Sequence, residues 1–178
     1  MNVRDQYKNM EVCAIKQAYT STTIPAAAAM MHVTGDFNLS TLIRNANFFG
    51  YQRVFYVGGK KHYDRRGTVG THNYIDVEFV KTEEQFMDRI RELNYMPIAI
   101  ENNIDYKCHS LYDFDFDVHT LTENPIFIFG EEQKGLSTFI LDNCELIITI
   151  PARGTVRSLN VGTASGIVLG HYSQYFNQ

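Results

Sequence analysis

No stretch of about 18 apolar residues occurs anywhere in the chain, which excludes a helix that spans a bilayer. The N-terminal MNVRDQYKNMEVC is charged throughout and contains no apolar signal core, so secretion is not expected. Cysteine is scarce: Cys13, Cys108 and Cys144 lie far apart and form no CxxC pair, which predicts reduced thiols in a cytoplasmic protein. Positive charge is not in excess either. A net charge of −4 excludes a surface coated for nucleic-acid binding and leaves room only for a local basic patch. Repeats, low-complexity tracts and linkers are absent from the sequence. With 178 residues, 44% of them hydrophobic, the expectation is one domain over 1–178, with an N-terminal helix in 1–20 and a core over 26–175.

What is present alternates between two periods. Val3, Tyr7, Met10, Ala14 and Ala18 follow a helical spacing over 3–19. AAAAMMHV (26–33) is expected as a buried strand between Pro25 and Thr34-Gly35-Asp36, despite its alanines. NLSTLIRNANFF (38–49) reads as a helix capped by Asn38, with Gly50 at the left-handed C-terminal position. Strands follow at 53–57, 76–80, 96–101, 125–129 and 145–150. Helices follow after the Thr82–Gln85 capping box, at 136–143 and from 158 to about 175. Residues 102–124 read as irregular. Strands alternating with helices predict an α/β fold, a mostly parallel sheet with helices on both faces.

Ligands of such sheets sit beyond the carboxyl ends of strands, and two glycine-bearing loops occupy that place: FGEEQKGLS and PARGTVRSLN. The first has the G-x-x-x-x-G frame of a phosphate loop. Leu136 stands where that loop needs lysine, and Glu131 and Glu132 would repel a polyphosphate, so a nucleotide hydrolase is not expected. Asp113, Asp115 and Asp117 hint at a calcium loop, but Val118 and Asn124 replace its required glycine and glutamate. That segment is expected as a solvated loop anchored by Phe114 and Phe116. The histidines show no H-E-x-x-H pattern, and no metal site is expected. GGKKHYDRRG reads either as a solvated surface loop with no function of its own or as an RNA contact that offers Lys60, Lys61, Arg65 and Arg66 to phosphates, extended by Arg153 and Arg157. Arg44 is set among apolar helix neighbours, six residues after Asn38, a separation expected to allow both on one side of the helix.

Three segments, NLSTLIRNANFFG, IFIFGEEQKGLS and IPARGTVRSLNV, together resemble the motifs of the SpoU (TrmH) RNA ribose methyltransferases of the SPOUT superfamily, in the same order and spacing. The resemblance covers roughly residues 26–175. It implies a C-terminal trefoil knot, a homodimer, an S-adenosylmethionine pocket and methyl transfer to a ribose 2′-hydroxyl of RNA. By the same resemblance Arg44 acts on the hydroxyl and Asn38 orients it. Glu132 fixes the second-motif loop, Ser158 faces substrate or cofactor, and Asn160 holds the knot. The cofactor is expected against Ile100, Phe129, Gly130, Gly135, Ile150, Ser158 and Leu159. The pattern departs at Gln133 and Gly162, where relatives often carry glycine and serine. The extra N-terminal RNA-binding domain of many relatives is not expected, which leaves RNA to the basic loop and arginines across a dimer. The substrate expected is tRNA ahead of rRNA. Two alternatives stand beside this reading: a non-catalytic RNA-binding relative, and a base methyltransferase.

Overall fold

The computed structural model describes residues 3–32, 36–58, 63–102, 105–116, 123–131 and 134–176. Its seven strands are β1 (Ile24–Met31), β2 (Tyr51–Val57), β3 (Asp76–Val80), β4 (Tyr95–Ile100), β5 (His109–Ser110), β6 (Asn124–Phe129) and β7 (Leu146–Thr149). Among the described residues five α-helices connect or flank them: α1 (Val12–Thr20), α2 (Asp36–Phe48), α3 (Glu83–Glu92), α4 (Thr138–Asp142) and α5 (Val161–Ser173). The strands form one sheet in the order β3-β2-β1-β6-β4-β7-β5, and every pairing is parallel. Among the described residues no helix is long and apolar enough to cross a membrane.

β1 shows why the sheet is parallel and covered on both sides. Alanine favours helix when only local preference acts. Here Ala26 to Ala29 are fully buried and alternate between two apolar layers. Ala26, Ala28 and Met30 join Leu39, Leu42 and Ile43 of α2 with Val168, Leu169 and Tyr172 of α5. Ala27, Ala29 and Met31 join Phe86, Met87 and Ile90 of α3 with Ile140 and Leu141 of α4. Burial of both faces decides the conformation, at about 1.5–3 kcal/mol for each large apolar side chain withdrawn from water.

Several expected boundaries move. The N-terminal helical pattern is broken: a 3₁₀ turn at Asp5–Tyr7 precedes α1, and Asn9 between them has φ +68°. Asparagine tolerates that left-handed conformation, so the chain turns where side-chain periodicity continues. α2 begins at Asp36, which places Asn38 inside its first turn and not at its cap. Gly50 does take the left-handed conformation that ends this helix, at φ +84°. The irregular stretch after β4 contributes the short edge strand β5, and Phe116 within it is fully buried against Phe127 and Tyr172. Thr82 accepts from the Gln85 amide at the start of α3, as a capping residue should. α5 starts at Val161, three residues later than the sequence pattern suggests, because residues 151–160 are an exposed loop that Asn160 ends as N-cap.

Candidate active site

β4 is separated from β1 by β6, so the order of the sheet reverses direction there. Such a switch leaves a crevice at the carboxyl ends of the strands. A cleft of about 230 Å³ lies at that point, between the ends of β4, β6 and β7 and the start of α5. Ile100, Phe129 and Ile150 form its apolar floor, and Leu136, Leu159 and Val161 its sides. Register brings the floor together: Ile100 pairs with Phe129 on one side and Ile148 on the other.

The loop after β6 turns back sharply. Glu131 N donates to Gly135 O at 3.2 Å, and Gly135 N to Glu131 O at 2.9 Å. Glycine is required at both ends of this turn. A Cβ on Gly130 would lie 2.4 Å from the Gly135 carbonyl carbon, and Gly135 has φ +67°. The loop after β7 forms the opposite wall through Arg157, Ser158 and Leu159, then enters α5. Asn160 caps that helix by accepting from Thr163 N at 3.2 Å, and its Nδ2 donates to Asn38 Oδ1 at 3.0 Å. A second tie follows along the same two helices, where Asn45 Nδ2 donates to Gly162 O and Ser165 Oγ, both at 3.0 Å.

All seven residues expected at the cofactor, Ile100, Phe129, Gly130, Gly135, Ile150, Ser158 and Leu159, are brought to this one cleft. Of the described members of the RNA set, only Arg157 reaches its wall; Arg153 is exposed in the same loop. Glu132, Lys60 and Lys61 lie outside the described residues. Arg65 rests over the Tyr63 ring, 5.9 Å from its centroid. Arg66 is already engaged: its Nε lies 3.0 and 2.9 Å from the two Asp64 carboxylate oxygens. This pairing pushes Asp64 below the usual carboxylate range and raises Arg66.

Arg44 is exposed, does not line the cleft, and has no hydrogen-bond or ion-pair partner among the described residues. The expectation that it shares a helix side with Asn38 is corrected. Six residues at about 3.6 per turn leave the two side chains roughly a third of a turn apart. Asn38 therefore faces α5 through Asn160, and Arg44 faces solvent on the side of Phe37 and Phe48.

Sequence reasoning missed Glu101 and Asn102, which follow β4 and line the cleft. Glu101 accepts from Asn102 N and Leu136 N, and Asn102 from Thr149 Oγ1 and Ile150 N. A usable signal existed: they stand just past an apolar strand, the position that singled out the other two loops. Lys134 and Ala164 were missed as well.

Known proteins share this fold. The chain is 25% identical over 144 residues to a tRNA (guanosine(18)-2′-O)-methyltransferase of Aquifex aeolicus, covering 78% of this chain and 64% of that one. It is 25% identical over 154 residues to the 23S rRNA (guanosine-2′-O-)-methyltransferase RlmB of Pseudomonas aeruginosa, covering 84% and 58%. The fold matches the AdoMet-bound rRNA methyltransferase of Sinorhizobium meliloti with a TM-score of 0.74 and 23% identity, over 84% of this chain and 56% of that one. The chain thus spans about six-tenths of the length of the proteins it matches. The model of the SpoU rRNA Methylase family matches residues 25–170, a span that takes in the sheet, the cleft and most of α5. The chain belongs to the SpoU rRNA Methylase family.

Proposed function

We propose that the chain is an S-adenosylmethionine-dependent methyltransferase acting on a ribose 2′-hydroxyl of RNA, with tRNA preferred over rRNA. One observation carries this: the seven residues assigned to the cofactor from sequence line a single cleft at the carboxyl ends of three adjacent parallel strands. The cleft suits a nucleoside-bearing ligand. Its floor is apolar, Gly130 and Gly135 bring bare backbone to it, and charged groups line it in Lys134, Arg157, Glu101 and Glu131. The relatives' printed activities, on tRNA and on 23S rRNA, agree with an RNA substrate.

The cofactor would supply an electrophilic methyl group, which is chemistry no side chain offers. The protein's part is placement and exclusion of water. Ile100, Phe129 and Ile150 keep the floor dry, and Ser158 on the exposed wall can hydrogen-bond a substrate hydroxyl. A guanidinium is a donor and not a base in proteins, so the role of Arg44 is to stabilise negative charge developing on the ribose oxygen, or to hold a neighbouring phosphate. Asn38 acts with Asn160 to hold α2 against the start of α5. Glu132 is assigned to the turn of the loop after β6.

The working form is a homodimer in the cytoplasm, with the C-terminal segment threaded as a trefoil knot and the whole chain one domain. Phe37 and Phe48 support the dimer: they are 66% and 80% exposed on the helix face that carries Arg44, an apolar stripe that a second copy would cover. The test is incubation with labelled S-adenosylmethionine and total RNA, then sizing of the labelled species and digestion to place the methyl group. Arg44→Ala should abolish transfer while calorimetric binding of the cofactor persists. Full activity of that variant would remove Arg44 from the mechanism. Label on a base would select the base-methylase reading, and no cofactor binding by the native chain the RNA-binding one.

A further inference from the structure

We infer that Glu101 and Asn102, the dipeptide that closes β4, are the positioning residues that hold both walls of the cleft in place for its ligand. This rests on the cofactor reading of the cleft for its affinity consequences, though not for its structural ones.

β4 lies between β6 and β7, so whatever leaves its end stands between the two loops that follow them. Glu101 takes one loop. Its Oε1 accepts from Asn102 N at 2.8 Å and its Oε2 from Leu136 N at 2.9 Å. The carboxylate presses so closely on the turn that a Cβ at Gly135 would lie 2.4 Å from Oε2. Asn102 takes the other loop. Its Oδ1 accepts from Thr149 Oγ1 at 2.7 Å and from Ile150 N at 3.2 Å. Its Nδ2 donates to Ile150 O at 3.1 Å and Arg157 O at 3.4 Å. The residues so tethered, Leu136, Ile150 and Arg157, all line the cleft.

The chemistry of each tether demands its residue type. Two amide N–H groups converge on two separate oxygens at Glu101, which only a carboxylate supplies at that length. Two donors and two acceptors converge on Asn102, which only a side-chain amide matches. Isosteric exchange therefore breaks each tether while leaving shape alone. Glu101→Gln turns one acceptor into a donor aimed at an N–H. Asn102→Asp turns the donor into an oxygen aimed at the carbonyls of Ile150 and Arg157.

Both variants are measured three ways: S-adenosylmethionine affinity by calorimetry, steady-state kinetics with RNA, and backbone amide exchange of the unliganded protein. Each should raise the cofactor Kd and KM about tenfold or more, the effect of losing a hydrogen bond to a charged or fully used group. The KM for RNA should stay at its native value, and kcat at saturating cofactor should fall much less than kcat/KM. Exchange at Leu136 should accelerate in Glu101→Gln and at Ile150 in Asn102→Asp, with the amides of α3 unchanged. If Glu101→Gln does not fold, Thr149→Val removes a single donor from Asn102 and should still raise the cofactor Kd a few-fold. Native affinity together with native protection of both amides would overturn the inference. So would a parallel loss of cofactor affinity, RNA affinity and melting temperature, which marks a general structural role. Accelerated exchange in a protein whose native form binds no S-adenosylmethionine would sustain the tethers and refute the cofactor reading alone.

Discussion

Three glycines on α5, Gly162, Gly166 and Gly170, recur at every fourth position and so share one face, against α2. Replacing each with alanine sets a helix gain against a steric cost, and the distances decide the sign. In a helix interior the change gains about 0.8–1 kcal/mol. At Gly166 the nearest atom to a new Cβ is Asn45 Nδ2 at 3.3 Å, the end of a side chain that shifts a few tenths of an ångström. Gly166→Ala should be neutral or more stable by about 0.5–1 kcal/mol. At Gly162 the Cβ meets Thr41 Cγ2 at 2.9 Å, Thr41 Cβ at 3.1 Å and the Asn160 capping oxygen at 3.1 Å. Thr41 Cβ is fixed to the α2 backbone, so the helices must separate, at about 1–3 kcal/mol. Gly162 also sits in the first turn, where propensity contributes little, which leaves Gly162→Ala less stable by about 1–2 kcal/mol. Gly170→Ala meets the far edge of the half-buried Phe49 ring at 2.9 Å and should fall between the two. Urea unfolding at constant m-value gives the three differences directly. A Gly162→Ala variant as stable as Gly166→Ala would refute the close packing of α2 on α5.

Asn160→Ala removes the N-cap of α5 and the tie to Asn38, and should cost about 1–2 kcal/mol by the same measurement. Burial pushes the Cys144 thiol up to about 12, whereas Cys13 and Cys108 are exposed. Since the thiolate is the reacting form, a thiol reagent at pH 8 should titrate two cysteines quickly and the third only on unfolding. The Asp64 carboxyl is held low by Arg66, so the pair's contribution is present above the ordinary aspartate value of about 3.9 and disappears as pH falls through the lower folded value. The Arg66 amide, which donates to Asp64 Oδ1, should shift in an NMR titration only below that ordinary value; a midpoint at or above it would contradict the pairing.

The parts legible in the sequence are those whose cause is local or two-sided. β6 shows as a short apolar run because both faces of a central parallel strand are buried. The two loops show because glycine appears where a strand ends, and Gly130 and Gly135 are needed for a reason their own backbone states. What escaped depends on partners distant in the chain. Glu101 reads as an ordinary surface acid until register sets it beside Leu136, 35 residues on. Asn102 reads as a turn residue until β7 is placed alongside β4 and brings Ile150 against it. The side of α2 that Arg44 takes escaped for a rotational reason: a separation of six was expected to set it on the side of Asn38, and at about 3.6 residues per turn the two stand roughly a third of a turn apart. The two kinds of legibility divide the site in a telling way. Glycine marks where the chain must leave room, and such places can be read from one strand at a time. The polar residues that hold that room open bridge three strands, and their meaning exists only once the strands are ordered. A relative could therefore keep both glycine loops and still lose its cleft through a change at the end of β4, which makes that dipeptide the place where binding would fail while the motifs remain intact.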